Sequence, residues 1–557
     1  TKNDSTNANN AVLNAKDGQN VTINVSAATG SSKAFKIVGG TGLDILTGGA
    51  GADIILGNGA VDTIVGNAGI DSITGGAGDD IITGGAGNDI ITGGAGVDSI
   101  SGGAGNDLII VADKTHFQVS GGVETVDGGA GTADVLSFTN TEAITLTAPE
   151  LSKLVGIEAI ILAHTSPSTL TFGNETFTSL GQSSLQITTS SGNATTTING
   201  AAVTNGSFVI VDNATAANND TLYGGSGDDI FRFSGVDGLD DGDSINGYGG
   251  TDTIDVRNSV ATNVVIDFAD VKGIENITVS KAPAAATTSG NLGIEIKPAA
   301  GTLNAGAVTV DMSAKSDATQ SYFNFGNSVD TVDINFTITG SAQQDKITGS
   351  MGEDTITGGG TLVGDSLTGG SGNDHITGNS GADTIAGGNH NDTLNGMAGN
   401  DGITGGSGND IIDGGAGTDT LDGEGGADVL TGGAGNDIFK YNAVADSSGN
   451  TKDTITDFKQ STLNAVTGAQ ITNGDSISLI VSSGAVANGN TTSFILSDKG
   501  DVDNAGEAVN AMNNQSGSFV FAKDNDVLYI DMDGDSTLNT DDYAFKLTGL
   551  DSFHGAD

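Results

Sequence analysis

Residues 39–110 read GGTGLDILT GGAGADIIL GNGAVDTIV GNAGIDSIT GGAGDDIIT GGAGNDIIT GGAGVDSIS GGAGNDLII, eight unbroken nonapeptides. The sixth residue is aspartate every time: Asp44, Asp53, Asp62, Asp71, Asp80, Asp89, Asp98 and Asp107. The eighth is always apolar, from Leu46 and Ile55 through Ile100 and Ile109. Glycine at the first, second and fourth positions permits a tight turn with positive φ and close backbone approach. Aspartate at the sixth supplies a hard oxygen donor. The last three residues predict a short strand whose middle side chain points inward. A flexible glycine-rich linker needs neither an aspartate at fixed phase nor an apolar residue two places later.

A second long block spans 340–440. Its sixth-position acids are Asp345, Asp354, Asp374, Asp383, Asp392, Asp401, Asp410, Asp419, Asp428 and Asp437, each followed two places on by Ile, Leu or Phe. Inside it, GGGTLVGDSLT at 358–368 is two residues longer and still ends Asp365-Ser366-Leu367. A short central block holds GGSGDDIFR from Gly224, GLDDGDSIN from Gly238 and GYGGTDTID from Gly247, contributing Asp229, Asp243 and Asp252.

This pattern resembles the RTX (repeats-in-toxin) nonapeptide GGxGxDxUx, with U apolar. The resemblance implies an all-β chain of calcium-bound parallel β-roll or β-solenoid blocks joined by β-rich spacers. It implies two nonapeptides per coil, with many Ca2+ ions between the turns of successive coils. The sixth-position carboxylates and backbone carbonyls would hold them.

Composition agrees. Asp and Glu number 69 against 19 Lys and Arg, a formal charge of −50. That charge opposes compaction unless cations neutralise it, and it excludes nucleic acid as a partner. The 90 glycines do not fall at every third position, which excludes collagen. Hydrophobic residues make up 36% of the chain and recur periodically, unlike a disordered segment. There is no cysteine, so neither disulfides nor thiolate metal sites contribute. No apolar run is long enough for a membrane-spanning helix. The chain opens at Thr1 with neither Met nor a signal peptide, as expected of either a processed protein or a fragment.

The remainder divides into an N-terminal β segment (1–38), spacers at 111–220 and 258–339 around the central block (221–257), and a C-terminal cap (441–557). Thr195–Asn199 and Phe208–Val211 read as strands, and Ala148–Leu154 as one short helical turn. Gly122-Val123-Glu124, Gly156-Ile157-Glu158 and Gly273-Ile274-Glu275 echo one another. Either this is coincidence in a low-diversity sequence, or the spacers continue the solenoid with wider coils. RTX blocks among Thr/Ala/Val-rich spacers are similar to bacterial surface-layer proteins. Asp453–Phe458 and the end of the chain resemble the C-terminal region of type I secretion substrates, where the export signal lies. Within that end, Asp531, Asp533, Asp535, Thr537, Asn539 and Asp542 occupy positions 1, 3, 5, 7, 9 and 12 of an EF-hand-like loop. Ser536 replaces the usual glycine and the flanks read as strands, so an acidic β-turn without metal is an equal reading.

No catalytic constellation is found. None of the five histidines lies in HExxH, and His375 and His390 fall within repeats as solvent-facing variants. The GxGxxG-like strings are by-products of the repeat. Aromatic residues, the usual sugar platforms, are only 4% of the chain. The expectation is a non-enzymatic, secreted cell-surface protein. Its expected partners are further copies of itself, the type I secretion machinery and a cell-surface polysaccharide. The competing expectation is the repeat and secretion portion of an exported adhesin, toxin or hydrolase.

Overall fold

The structure is a computed structural model. It describes residues 11–112 except 17 and 27–32, then 124–139, 143–163, 166–189, 195–213, 219–233, 243–257, 264–267, 271–279, 292–297, 308–312, 321–325, 334–360, 363–442 and 452–458. Beyond these it describes the strands at 476–479, 501–502, 519–522, 527–530 and 543–547. The fold is a β-solenoid, nearly all parallel strand among the described residues. The chain forms two compact units, 1–260 with 267–276, and 261–266 with 277–557.

In the first unit, successive nonapeptides alternate between two parallel sheets. Ile55, Ile73, Ile91 and Ile109 stand in register on one. Leu46, Ile64, Ile82 and Ile100 do so on the other. One coil is therefore 18 residues. The eighth-position side chains are fully enclosed between the sheets, 3% exposed or less. Burying each contributes about 1.5–3 kcal/mol.

The spacer continues this ladder. On the first sheet Ile109 pairs with Leu136, then Ile160, Ile187, Ile210, Phe231 and Ile254, in steps of 27, 24, 27, 23, 21 and 23 residues. The reason for the wider coils is local. In the roll, the inward position after the eighth residue is the first glycine of the next repeat. In the spacer it is often a large side chain: Val111, Phe138, Leu162, Phe233 and Val256 are all buried. Two inward side chains per strand give each coil more core to enclose than one does. A further parallel stack runs Ile144–Leu146, Ser168–Thr171, Thr196–Asn199, Thr221–Tyr223, Ser244–Asn246. The echoing segments at Gly156 and Gly273 thus mark wider coils, not coincidence, while Gly122 and Val123 lie outside the described residues.

Ala148–Leu151 is the expected short helix, boxed by Thr147 and Glu150. A second helix, Asn174–Leu180, was not legible in its Thr-rich sequence. It buries Phe177 edge-on against Phe208, centroids 5.1 Å apart, and ends at Gly181 with φ 69°.

In the second unit, Phe336–Thr339, Thr355–Thr357, His375–Thr377, Thr393–Asn395, Ile411–Asp413, Val429–Thr431 and Thr454–Ile455 stack in parallel. Asp345–Thr348, Ser366–Ser371, Thr384–Asn389, Gly402–Ser407, Thr420–Gly425 and Ile438–Tyr441 form the opposing stack. The eleven-residue unit is absorbed in its turn, since Ile347↔Leu367 and Ile356↔Ile376 keep register. His375 and His390 are exposed. Val527–Ile530 and Tyr543–Leu547 pair antiparallel, so the flanks of the acidic C-terminal segment are strands. Asp531, Asp533, Asp535 and Asp542 themselves lie outside the described residues.

Candidate metal centre

Every described sixth-position aspartate points into the turn and is 4% exposed or less. The arrangement is a ladder. Asp62 Oδ1 accepts the backbone N–H of Asp44 at 2.7 Å, and Asp80 that of Asp62 at 2.7 Å. On the other edge Asp71, Asp89 and Asp107 serve Asp53, Asp71 and Asp89 at 2.7–2.8 Å. The same rungs join Asp229 to Asp252. In the second unit they join Asp345, Asp365, Asp383, Asp401, Asp419 and Asp437 on one edge. On the other they join Asp354, Asp374, Asp392, Asp410 and Asp428. Asp243 accepts from Asp220.

The ladder runs past the residues the repeat phase identifies. Asp107 donates to Asp134, Asp134 to Glu158, Asp252 to Glu275 and Asp428 to Asp453, at 2.6–2.9 Å. The longer glutamate arm substitutes for aspartate where the coil is wide. Glu124, 2% exposed, is a third buried glutamate, and the charge of Asp98 acts on it. The signal was present as the triplet Asp-x-apolar in Asp134-Val135-Leu136 and Asp453-Thr454-Ile455. Irregular coil lengths hid its phase.

The three glycines have different reasons. In most turns the second and fourth adopt positive φ, as at Gly85 (124°) and Gly87 (136°). The first does not, contrary to the sequence expectation. It is glycine because a Cβ on Gly75 would strike Oδ2 of Asp80 and lie 2.5 Å from the carbonyl oxygen of Gly93. The aspartate carboxylate and a carbonyl of the next coil both crowd that spot.

The second carboxylate oxygen divides the turns into two kinds. In one kind the second residue has positive φ and Oδ2 is buried with no hydrogen-bond partner; Asp365, which follows Gly359 at φ 77°, is the exception, its Oδ2 accepting from Asn379 Nδ2. Asp62, Asp71, Asp80, Asp89, Asp107, Asp252, Asp374, Asp392, Asp401, Asp410, Asp419 and Asp428 are of this open kind. Where the second residue lies outside that region, its own N–H donates to Oδ2 at 2.6–2.7 Å. Gly40, Gly49, Gly225, Ser341, Ser350 and Asn379 close the turns of Asp44, Asp53, Asp229, Asp345, Asp354 and Asp383 in this way.

Burial, reinforced by neighbouring carboxylates, raises the pKa values of the ladder. Asp62 and Asp107 are pushed up to about 6, Asp71, Asp80 and Asp401 to about 7, and Asp374 and Glu124 to about 8. Buried, mutually repelling carboxylates with an unpartnered oxygen require either protons or cations. The donors, carboxylate and carbonyl oxygens, suit the hard ion Ca2+. Among the described residues no three His, Cys, Asp or Glu side chains converge on one point. Backbone carbonyls must therefore supply much of any coordination shell.

Comparison with known families agrees. Residues 36–64, 56–91, 74–109, 215–235, 337–361, 368–403, 386–421 and 404–439 match the RTX calcium-binding nonapeptide repeat. These repeats support a protein of the RTX family, of the secreted type, and they imply many bound Ca2+ ions. The repeat solenoid is a structural calcium-binding arrangement rather than a catalytic fold. No curated protein matches the chain. Among the described residues no helix is long and apolar enough to cross a membrane.

Proposed function

We propose that this chain is a structural subunit of a calcium-dependent surface layer, exported by type I secretion, folded outside the cell and assembled with copies of itself. The supporting observation is that the spacer strands prolong the parallel ladder of the repeats. Repeat and spacer therefore build one kind of scaffold. The outer sheet faces carry exposed isoleucines, including Ile45 (51%), Ile54 (46%), Ile81 (53%) and Ile90 (43%). Such patches suit packing against further copies.

Calcium would act through charge. In a low-calcium cytosol the ladder carboxylates repel and ordering a glycine-rich chain costs entropy. Extracellular calcium modules bind at about 10⁻⁴ to 10⁻³ M, so millimolar calcium outside suffices. Binding free energy then becomes folding free energy. The same neutralisation removes the repulsion between chains of charge −50.

Electron microscopy of purified protein titrated with calcium tests this reading. Ordered sheets that dissolve in chelator are expected. A folded protein that stays monomeric at high concentration overturns the surface-layer reading in favour of the repeat and secretion portion of an exported adhesin, toxin or hydrolase.

A further inference from the structure

We infer that calcium occupancy follows the backbone conformation of the second residue of each repeat, and that the turns led by Ser341, Ser350 and Asn379 are closed by hydrogen bonds in place of a cation. This rests on the reading that open-turn carboxylates hold calcium, and it specifies which turns do so.

The three turns share a feature that glycine cannot provide. Besides its backbone N–H, each leading side chain adds polar contacts inside the turn. Ser341 Oγ donates to Asp345 Oδ1 at 2.9 Å, and Gln343 N–H donates to Ser341 Oγ at 3.1 Å. Ser350 Oγ donates to the carbonyl of Ile334 at 2.7 Å and accepts from the N–H of Gly352 at 3.0 Å. Asn379 Nδ2 donates to the carbonyl of Val363 at 2.9 Å and to Asp365 Oδ2 at 2.7 Å. Its Oδ1 accepts from Gly381 N–H. Carboxylate and carbonyl oxygens that would face an ion in an open turn are thus engaged by neutral donors. The closed turns led by Gly40, Gly49 and Gly225 carry no such side chain, so only backbone holds them shut.

The consequence is spatial. On one edge of the second roll Asp345, Asp365 and Asp383 are all served by N–H or amide donors, and the first unpartnered oxygen is that of Asp401. On the other edge only Asp354 is closed, and unpartnered oxygens begin at Asp374. The first coils of this roll are then a calcium-independent base on which the calcium-bound coils stack. A base already ordered spares the first ion the cost of nucleating a coil.

The test counts ions per chain by native mass spectrometry of the full chain in calcium. Asp392→Ala should lose bound calcium, whereas Asp354→Ala should keep the wild-type number. Ser350→Gly should gain at most one ion and never lose one. Equal ion loss in Asp354→Ala and Asp392→Ala overturns the inference while leaving calcium binding intact. No loss in either sinks both. Should a variant fail to fold, anomalous diffraction from wild-type crystals grown in calcium decides. Density beside Asp374, Asp392, Asp401 and Asp410 but not beside Asp345, Asp354 and Asp383 is expected. An ion beside any of those last three overturns the inference.

Discussion

The backbone N–H of Asp89 donates to Oδ1 of Asp107, 2.7 Å away in the next coil, while Oδ2 of the same Asp107 is buried without a partner. One carboxylate thus couples two coils through its first oxygen and offers the second to an ion. A neighbouring ladder runs with opposite polarity. Asn88 Oδ1 accepts the N–H of Asn106 at 3.0 Å, and Asn391 that of Asn409 at 2.7 Å. Where the fifth residue is Asn or Asp, its side chain therefore ties the coil to the following one on the outside of the turn, and sixth-position side chains tie it to the preceding one on the inside.

These adjacent residues make a controlled pair. Asp89→Ala removes an ion ligand and strands the buried N–H of Asp71, which alone costs about 1–3 kcal/mol. It should raise the calcium midpoint of folding and flatten its slope. Asn88→Ala removes an exposed rung, costs under about 1 kcal/mol, and should leave the slope unchanged. Calcium titrations followed by circular dichroism separate the two. Equal effects would contradict the assigned polarity of the ladders.

Much of this was legible in the sequence because the repeat states its phase. Asp44 to Asp107 and Leu46 to Ile109 recur every nine residues, and each side chain falls where that phase puts it. What was hidden depends on relations between coils. Nothing local marks Gly75 as excluded by the carboxylate of Asp80. Nothing in Ser350 alone shows that it closes its turn. Val111 and Phe138 read as strand residues, but their inward direction and the resulting wider coil require the partner sheet. The glutamates entered as an echo, and only their register with Asp134 and Asp252 reveals them as rungs.

Folding should require calcium. Far-ultraviolet circular dichroism of the protein in chelator at pH 8 should show mainly disordered chain, with β signal restored by millimolar calcium. Magnesium should restore it poorly, because it demands tight octahedral geometry and dehydrates reluctantly. Full β signal in chelator at that pH would refute the requirement.

Glycine substitutions separate close approach from mere flexibility. A Cβ on Gly84 would strike Asp89 Oδ2 and lie 2.5 Å from the carbonyl oxygen of Gly102. Gly84→Ala should therefore unfold or loosen that coil, costing about 1–3 kcal/mol as overpacking does. Gly402 lies in a strand, has no atom within 4 Å of its would-be Cβ and lacks positive φ. Gly402→Ala should stabilise by about 0.4–1 kcal/mol by restricting the unfolded chain. Thermal melts in calcium give both signs. A Gly84→Ala variant as stable as wild type would show that the first glycine is not fixed by the carboxylate.

Acid should partly replace calcium. In the metal-free fold, burial raises Asp71, Asp80 and Asp401 to about 7 and Asp374 to about 8, well above the ordinary carboxylate range of about 4. Between the unfolded and folded values the folded chain binds more protons than the unfolded one. Its stability therefore falls as pH rises, being fully present below about 4 and lost through about 6 to 8. In chelator, β signal should be appreciable at pH 5 and gone by pH 8. In calcium it should persist through pH 8, because the ion rather than the proton then satisfies the open oxygens. Calcium must displace those protons to bind. Titration calorimetry at pH 6.5 in buffers of different ionisation enthalpy should accordingly show net proton release, and that release should fall away by pH 9. A metal-free protein equally disordered at pH 5 and pH 8, with no protons released on calcium binding, would show that the ladder carboxylates are not the groups calcium neutralises.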